Sequence, residues 1–329
     1  MVSARLIRRS MLPTVLLAAL VLALQGAGAA VPAHAEPVAV LAAVKGKVEV
    51  VSASTKKTVR AAFGRSLERG DKVSVAAGGS ATVFFSDGNL VELASKSTVT
   101  IGGRAEAKTP MAAGLPGEVY TQVSKFVTAG SRRTGLVALS EMRGPDDGAA
   151  VIVAPRRTTV LELRPALRWR AVNGAGKYRV AVAAADGKEL WTRETTALEL
   201  GWPADAAPLE AGRDYAWTID ALDGARVVRS ESIDFRVASE ELAGSVRANV
   251  ARIQESAGGE ESAAARYLVG SYLAGIGIYQ DAAEQFGALC LLTPESPGPH
   301  EALGNVFTRV GLMDLAAAEY QQALALARE

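Results

Sequence analysis

The chain has 329 residues, long enough for two or three domains of about 100–200 residues each. Its 36 Lys+Arg against 35 Asp+Glu leave a formal net charge of +1, which argues against a nucleic-acid-binding chain, since that needs a basic excess or a basic stripe. The single Cys, Cys290, cannot close an internal disulfide; flanked by Leu289, Leu291 and Leu292, it reads as a buried small apolar residue.

Residues 1–35 read as a secretory signal. Arg5, Arg8 and Arg9 make a positive start, Leu12 to Leu24 an apolar stretch, and Ala33-His34-Ala35 a small-x-small cleavage site that puts the mature start at Glu36. The apolar stretch is shorter than the ~20 residues of a spanning helix, so cleavage leaves no stable membrane span. Arg8-Arg9-Ser10-Met11-Leu12 resembles the twin-arginine export signal, with general secretion as the alternative. The expected location is the periplasm, or the cell surface or medium, with the signal cleaved after Ala35.

From residue 36 to 103 apolar and polar residues alternate: Val48 and Val50; Val73 and Val75; Ala81, Val83 and Phe85; Val91 and Leu93; Val99 and Ile101. Period two predicts half-buried strands. Gly46, Gly70-Asp71, Gly78-Gly79 and Asp87-Gly88 fall where turns are needed. The ordered set Val44-Lys45-Gly46-Lys47-Val48, Leu67-Glu68-Arg69-Gly70-Asp71 and Ala81-Thr82-Val83-Phe84-Phe85-Ser86-Asp87-Gly88, closed by Ser97 and Ile101, resembles the FecR domain, a bacterial β-domain of the cell envelope. Residues 104–150 read as an extension packed on this domain plus a linker. Pro110, Gly114, Pro116 and Gly117 break regularity, and Pro145-Asp146-Asp147-Gly148 makes a strong turn. Arg132-Arg133 reads as a solvated turn or a contact for an anionic partner.

Residues 151–238 return to strands: Val160-Leu161, Leu167-Arg168-Trp169, Tyr178 to Val182, Leu198-Glu199-Leu200, Tyr215 to Ile219 and Ile233 to Val237, with turns at Asp186-Gly187 and Asp223-Gly224. Short strands at this spacing predict a β-sandwich with Trp169 in its core. Arg168 and Arg170 then face outward, as a solvated face or a stripe able to grip a polyanion, with Arg164 nearby. Leu209, Gly212 and Tyr215 resemble the tyrosine corner of fibronectin type III-like domains, which implies a Tyr215 hydroxyl bonded to nearby backbone.

From Ser239 the period becomes helical. Leu242, Val246, Val250 and Ile253 share a face, Ser239 is an expected N-cap, and Gly258-Gly259 an expected stop. Gly270 and Gly304 lie 34 positions apart, and the same offset links Val269 to Leu303, Leu273 to Phe307, Gly277 to Gly311, Ala282 to Ala316 and Phe286 to Tyr320. With Pro294 closing the first unit, residues 239–329 resemble tetratricopeptide repeats, whose period is about 34 residues. The resemblance implies close helix approach at Gly270, Ala282, Gly304 and Ala316, gap-filling by Phe286 and Tyr320, and a protein partner. Two units are fewer than such arrays need, so the 239–257 helix is expected to dock as a partial third unit, with stacking on a second chain as the alternative.

No pattern for catalysis emerges. His300 has no local partner for a triad or a zinc site and reads as exposed or capping, and Gly174-Ala175-Gly176-Lys177-Tyr178 lacks the residues of a phosphate loop. The expected class is multidomain, β then α: a FecR-like β-domain, a fibronectin- or immunoglobulin-like β-sandwich and a C-terminal α-helical repeat. The expected function is that of an exported, non-enzymatic scaffold of the cell envelope, without cofactor, metal or nucleic acid, whose tail binds an envelope protein. A cell-wall glycan is a possible further ligand, marked by exposed Trp191 or Trp202. The alternatives are a membrane-anchored FecR-type signalling regulator and a peptidoglycan-acting enzyme. Met1 to Met11 is too short for the regulator's cytoplasmic domain.

Overall fold

The computed structural model describes residues 37–102, 110–112, 114–131 and 149–328. The expected signal and its cleavage site, Arg132-Arg133 and the Pro145–Gly148 turn lie outside the described residues.

The first β region builds two antiparallel sheets. One has the order β4-β1-β6-β7-β9 and the other β3-β2-β5-β8. The strands are β1 (Ala39–Lys45), β2 (Val48–Val51), β3 (Thr58–Arg60), β4 (Ser66–Leu67), β5 (Lys72–Val75), β6 (Ser80–Phe85), β7 (Leu90–Leu93), β8 (Thr98–Thr100) and β9 (Pro110–Ala112). The alternating residues Val48, Val50, Val73, Val75, Ala81, Val83, Phe85, Val91, Leu93 and Ile101 all enter one core between the sheets. The motif residues have structural work. The Asp71 carboxylate is buried and accepts from the backbone N–H of Ala53 (2.8 Å) and Glu68 (2.9 Å), tying two loops together. Gly46 and Gly79 pack backbone to backbone.

The first sheet is apolar on its outer face as well. Val38 to Val44 is an unbroken apolar run, which suits a strand covered on both sides. Ala39 and Leu41 enter the intersheet core, whereas Val40, Ala42, Phe84 and Leu90 enter a second core shared with helices. Part of that cover is α1 (Gly117–Ser131). Within the expected extension over 104–150, residues 117–131 are a 15-residue helix that packs on the first β region, an element the sequence reading did not name. Its Val119, Val123, Phe126 and Val127 are spaced to bury one face. Tyr120 packs edge-on against Phe84 with ring centroids 5.5 Å apart, and its hydroxyl donates to the Pro37 carbonyl at 2.8 Å.

A β-sandwich follows. A three-stranded sheet, β10 (Ile152–Ala154), β12 (Leu167–Trp169) and β15 (Glu199–Leu200), faces a five-stranded sheet of order β11-β17-β16-β13-β14. The latter comprises β11 (Thr159–Val160), β13 (Lys177–Ala184), β14 (Glu189–Thr195), β16 (Asp214–Asp223) and β17 (Arg226–Val237). Among the described strands of the sandwich, only β11 and β17 pair in parallel. Trp169 is buried between Tyr178 and Trp217, with centroids 5.7 and 6.2 Å away. Tyr215 is buried, and its hydroxyl accepts from the Glu210 N–H at 2.9 Å. β14 has no counterpart in the sequence reading. It is an edge strand with one buried residue, Trp191, among charged neighbours, so period two leaves no trace there.

Five helices close the chain: α2 (Glu240–Ser256), α3 (Ala263–Gly275), α4 (Tyr279–Leu292), α5 (Pro297–Val310) and α6 (Met313–Leu326). The order is therefore β then α. Ser239 caps α2 by accepting from the Leu242 N–H at 3.2 Å. Ser296 and Pro297 start α5, but the Ser296 side chain makes no capping bond. In α2, Val246 and Ile253 are fully buried beside α3, and the Asn249 amide donates to the Tyr272 hydroxyl at 2.9 Å. No described helix is long and apolar enough to cross a membrane.

Candidate functional site

The residues at the 34-residue offset do the same work in both helix pairs. A Cβ on Gly270 of α3 would lie 2.9 Å from the Phe286 ring of α4, and one on Gly304 of α5 would lie 2.8 Å from the Tyr320 ring of α6. Both glycines thus allow an aromatic ring to lie flat on the neighbouring helix backbone. Ala282 and Ala316 are fully buried. Gly277 and Gly311 turn the chain inside each pair with φ of +87° and +81°, a region that favours glycine. Pro294 is in the exposed turn between α4 and α5.

Two sides of this array are occupied by the chain itself. Helix α1 lies against α3 and α5, the first helix of each pair. The approach is close: a Cβ on Gly275 would be 2.4 Å from the Gln122 carbonyl oxygen, and one on Gly130 2.5 Å from Asn305 Nδ2. Phe126 stacks on Phe286 at 5.6 Å, and Phe63 from the first β region meets Tyr267 at 5.7 Å. The helical region and the first β region therefore share one hydrophobic core, and α1 covers the face made by α3 and α5.

The sandwich takes the edge bearing the two turns. Thr159 N–H donates to the Gly277 carbonyl (3.0 Å), Tyr279 N–H to Thr158 Oγ1 (2.8 Å), and Arg156 Nε to the Val310 carbonyl (2.8 Å). Arg156 is buried and also pairs with Glu231 at 2.5 Å. Burial alone would raise the pKa of Glu231. The N–H groups of Ile152 and Val151 and the Arg156 guanidinium outweigh it and hold the carboxyl below its usual range. Arg168 and Arg170, on the outward face of β12 and its continuation, pair with Glu284 of α4 (2.9 Å) and Asp314 of α6 (2.5 Å). Trp191 is buried and Trp202 half-buried against it, edge-on at 5.1 Å, so the pair makes no open stacking platform for a sugar.

The remaining side belongs to α4 and α6. Leu291 is 86% exposed and Leu292 50%, with Met313 and Leu324 also exposed. Single exposed apolar residues are ordinary, but a leucine this open next to a second one has no role in the array's own core.

One carboxylate near this edge is costly. Asp281, in the first turn of α4, is pushed up to about 6 by burial first and then by Glu284 and Glu162. A raised carboxylate pKa penalises the ionised folded state, so the cost is absent below about pH 4, grows up to about 6, and is constant above. Asp281→Asn is expected to stabilise the protein by about 1–3 kcal/mol at pH 7.5 and by nothing at pH 3.5. Urea melts at the two pH values check this.

Sequence reasoning left Cys290 and His300 without partners, and the structure joins them. Cys290 of α4, His300 of α5 and Glu319 of α6 place ligand-capable atoms within 4.8 Å of one another. His300 Nδ1 is 2.7 Å from Glu319 Oε2. The Cys290 thiol is pushed up to about 12, chiefly by burial and further by Glu319. No sequence signal marks the group, since its members come from three helices that only the fold aligns.

No protein-family model and no curated protein matches the chain. Among solved structures, it is similar to the fibronectin type III (fn3) domain of human collagen alpha-1(XX) chain, at 24% identity over 30% of this chain and 95% of that one, with a TM-score of 0.23. It is also similar to the FN1–FN3 domains of chicken CNTN1, at 14% identity over 59% of this chain and 56% of that one, with a TM-score of 0.19.

Proposed function

We propose that the protein is an exported, non-enzymatic scaffold of the bacterial cell envelope that holds a protein partner on the α4–α6 side of its tail. In this reading the first β region is a FecR-type module, the sandwich is fibronectin type III-like, and the tail is a pair of tetratricopeptide units. The supporting observation is the distribution of surface. α1 and the first β region cover one face of the helix pairs, the sandwich covers the turn edge, and the nearly bare Leu291 projects from what is left. The groove face by which tetratricopeptide arrays usually take partners is filled by α1, so the partner is assigned to the other face. The structural motif residues of the first β region, Asp71 and the glycines, fit a spacer or platform.

The test uses the full chain, crosslinked in its native envelope and recovered alongside a Leu291→Glu/Leu292→Glu variant. A protein captured by the wild type and lost by the variant is expected. Equal capture by both, or none by either, sinks the assignment of this face.

A further inference from the structure

We propose that Cys290, His300 and Glu319 form a binding site for a divalent transition-metal ion of zinc type, clasping α4, α5 and α6 together. The three donors are a sulfur, an imidazole nitrogen and a carboxylate oxygen, one from each helix, already within 4.8 Å of one another. This is a ligand set that zinc accepts, and three protein ligands leave a fourth position for water.

The geometry needs little adjustment. With Zn–N and Zn–O bonds of about 2.1 Å and a Zn–S bond of about 2.3 Å, a tetrahedral centre sets its ligand atoms about 3.4–3.6 Å apart. The His300–Glu319 pair, at 2.7 Å, opens by about 0.7 Å to admit the ion, and the widest separation closes by at most about 1.2 Å. His300 and Glu319 are mostly shielded, with 15% and 24% of their side chains exposed. Charge balances too. A thiolate, a neutral imidazole and a carboxylate carry two negative charges against the two positive charges of the ion. On binding, the thiol proton passes to solvent, and where the metal takes Nδ1 the imidazole proton moves to Nε2, so the ring stays neutral. The consequence is mechanical: an ion held by one ligand from each of three helices cross-links both helix pairs near the exposed Leu291. The site stands independently of any partner on that face.

Cobalt(II) titration of the purified full chain tests this, because thiolate ligation gives a near-ultraviolet charge-transfer band and tetrahedral coordination gives strong visible bands. The wild type is expected to show both, with zinc displacing cobalt. Cys290→Ser is expected to lose the charge-transfer band, while a cooperative melt confirms that it folds. His300→Gln, a milder change, is expected to weaken cobalt binding at least tenfold and keeps the test decisive if Cys290→Ser fails to fold. Absence of the bands in the wild type, a charge-transfer band surviving in folded Cys290→Ser, or unchanged affinity in His300→Gln each overturns the proposal.

Discussion

Phe286→Ala is expected to destabilise the protein by about 3–5 kcal/mol, the range for truncating a buried aromatic. Phe286 is fully buried in α4. Its ring lies on the backbone of Gly270 in α3, stacks on Phe126 of α1 and meets Tyr267 at 5.9 Å. Collapse of the surroundings would reduce the cost, but glycine on one side offers no side chain to fill the space. The mutation therefore removes one of the main contacts by which α1 grips the helix pairs. Urea denaturation gives the free energy, and amide hydrogen exchange shows where it is lost. Protection of α1 is expected to fall together with that of α3 and α4. If α1 keeps its protection while α3 and α4 open, the first β region holds α1 by itself and the shared core is not cooperative. Phe286→Leu, which keeps most of the volume, is expected to cost clearly less.

Glu231→Ala is the second large effect, expected at about 2–4 kcal/mol at pH 7. Removing one member of a buried ion pair leaves the other charge uncompensated, at about 3–5 kcal/mol for a fully buried pair. The figure is reduced here because Glu231 retains 20% side-chain exposure. The carboxylate is also the acceptor for the Val151 and Ile152 N–H groups, which alanine would orphan. The loss reaches beyond the sandwich, since Arg156 is the residue that bonds the Val310 carbonyl at the end of α5. The pH dependence has a definite sign. The folded pKa lies below the ordinary glutamate value of about 4.3. The stabilisation is thus complete above that value and is lost as pH falls through the folded pKa. The gap between wild type and Glu231→Ala is expected to narrow in acid. A gap that stays constant from pH 7 to pH 3 would show that the side chain acts by packing rather than by charge.

Much of the local structure was legible because it depends on near neighbours. Period two over Val48–Ile101 marks one buried sheet face, and Tyr215 and Trp169 announce a sandwich core by residue type. The glycine–aromatic offset between Gly270 and Phe286, repeated at Gly304 and Tyr320, marks helices that pack closely. α1 was missed for a physical reason. Glycines and prolines surround residues 117–131, and its apolar face, Val119, Val123, Phe126 and Val127, is short. It is stable because two partners distant in sequence cover it, and propensity carries little of such a helix. β14 was missed because an edge strand buries only Trp191.

By itself the sequence determined most of the strands, the C-terminal helices and the turns between them, though not α1 or β14, since those it did determine depend on periodicity, glycine and capping within a few residues. It also determined that the helical tail carries two copies of one packing device. Only the tertiary structure decided that α1 fills the face the repeats would otherwise offer, that Arg168 and Arg170 pair with Glu284 and Asp314, and that Cys290, His300 and Glu319 meet. Each of these is a meeting of residues on different elements. Contacts of that kind are set by how faces dock, for which neither spacing nor composition leaves a local mark.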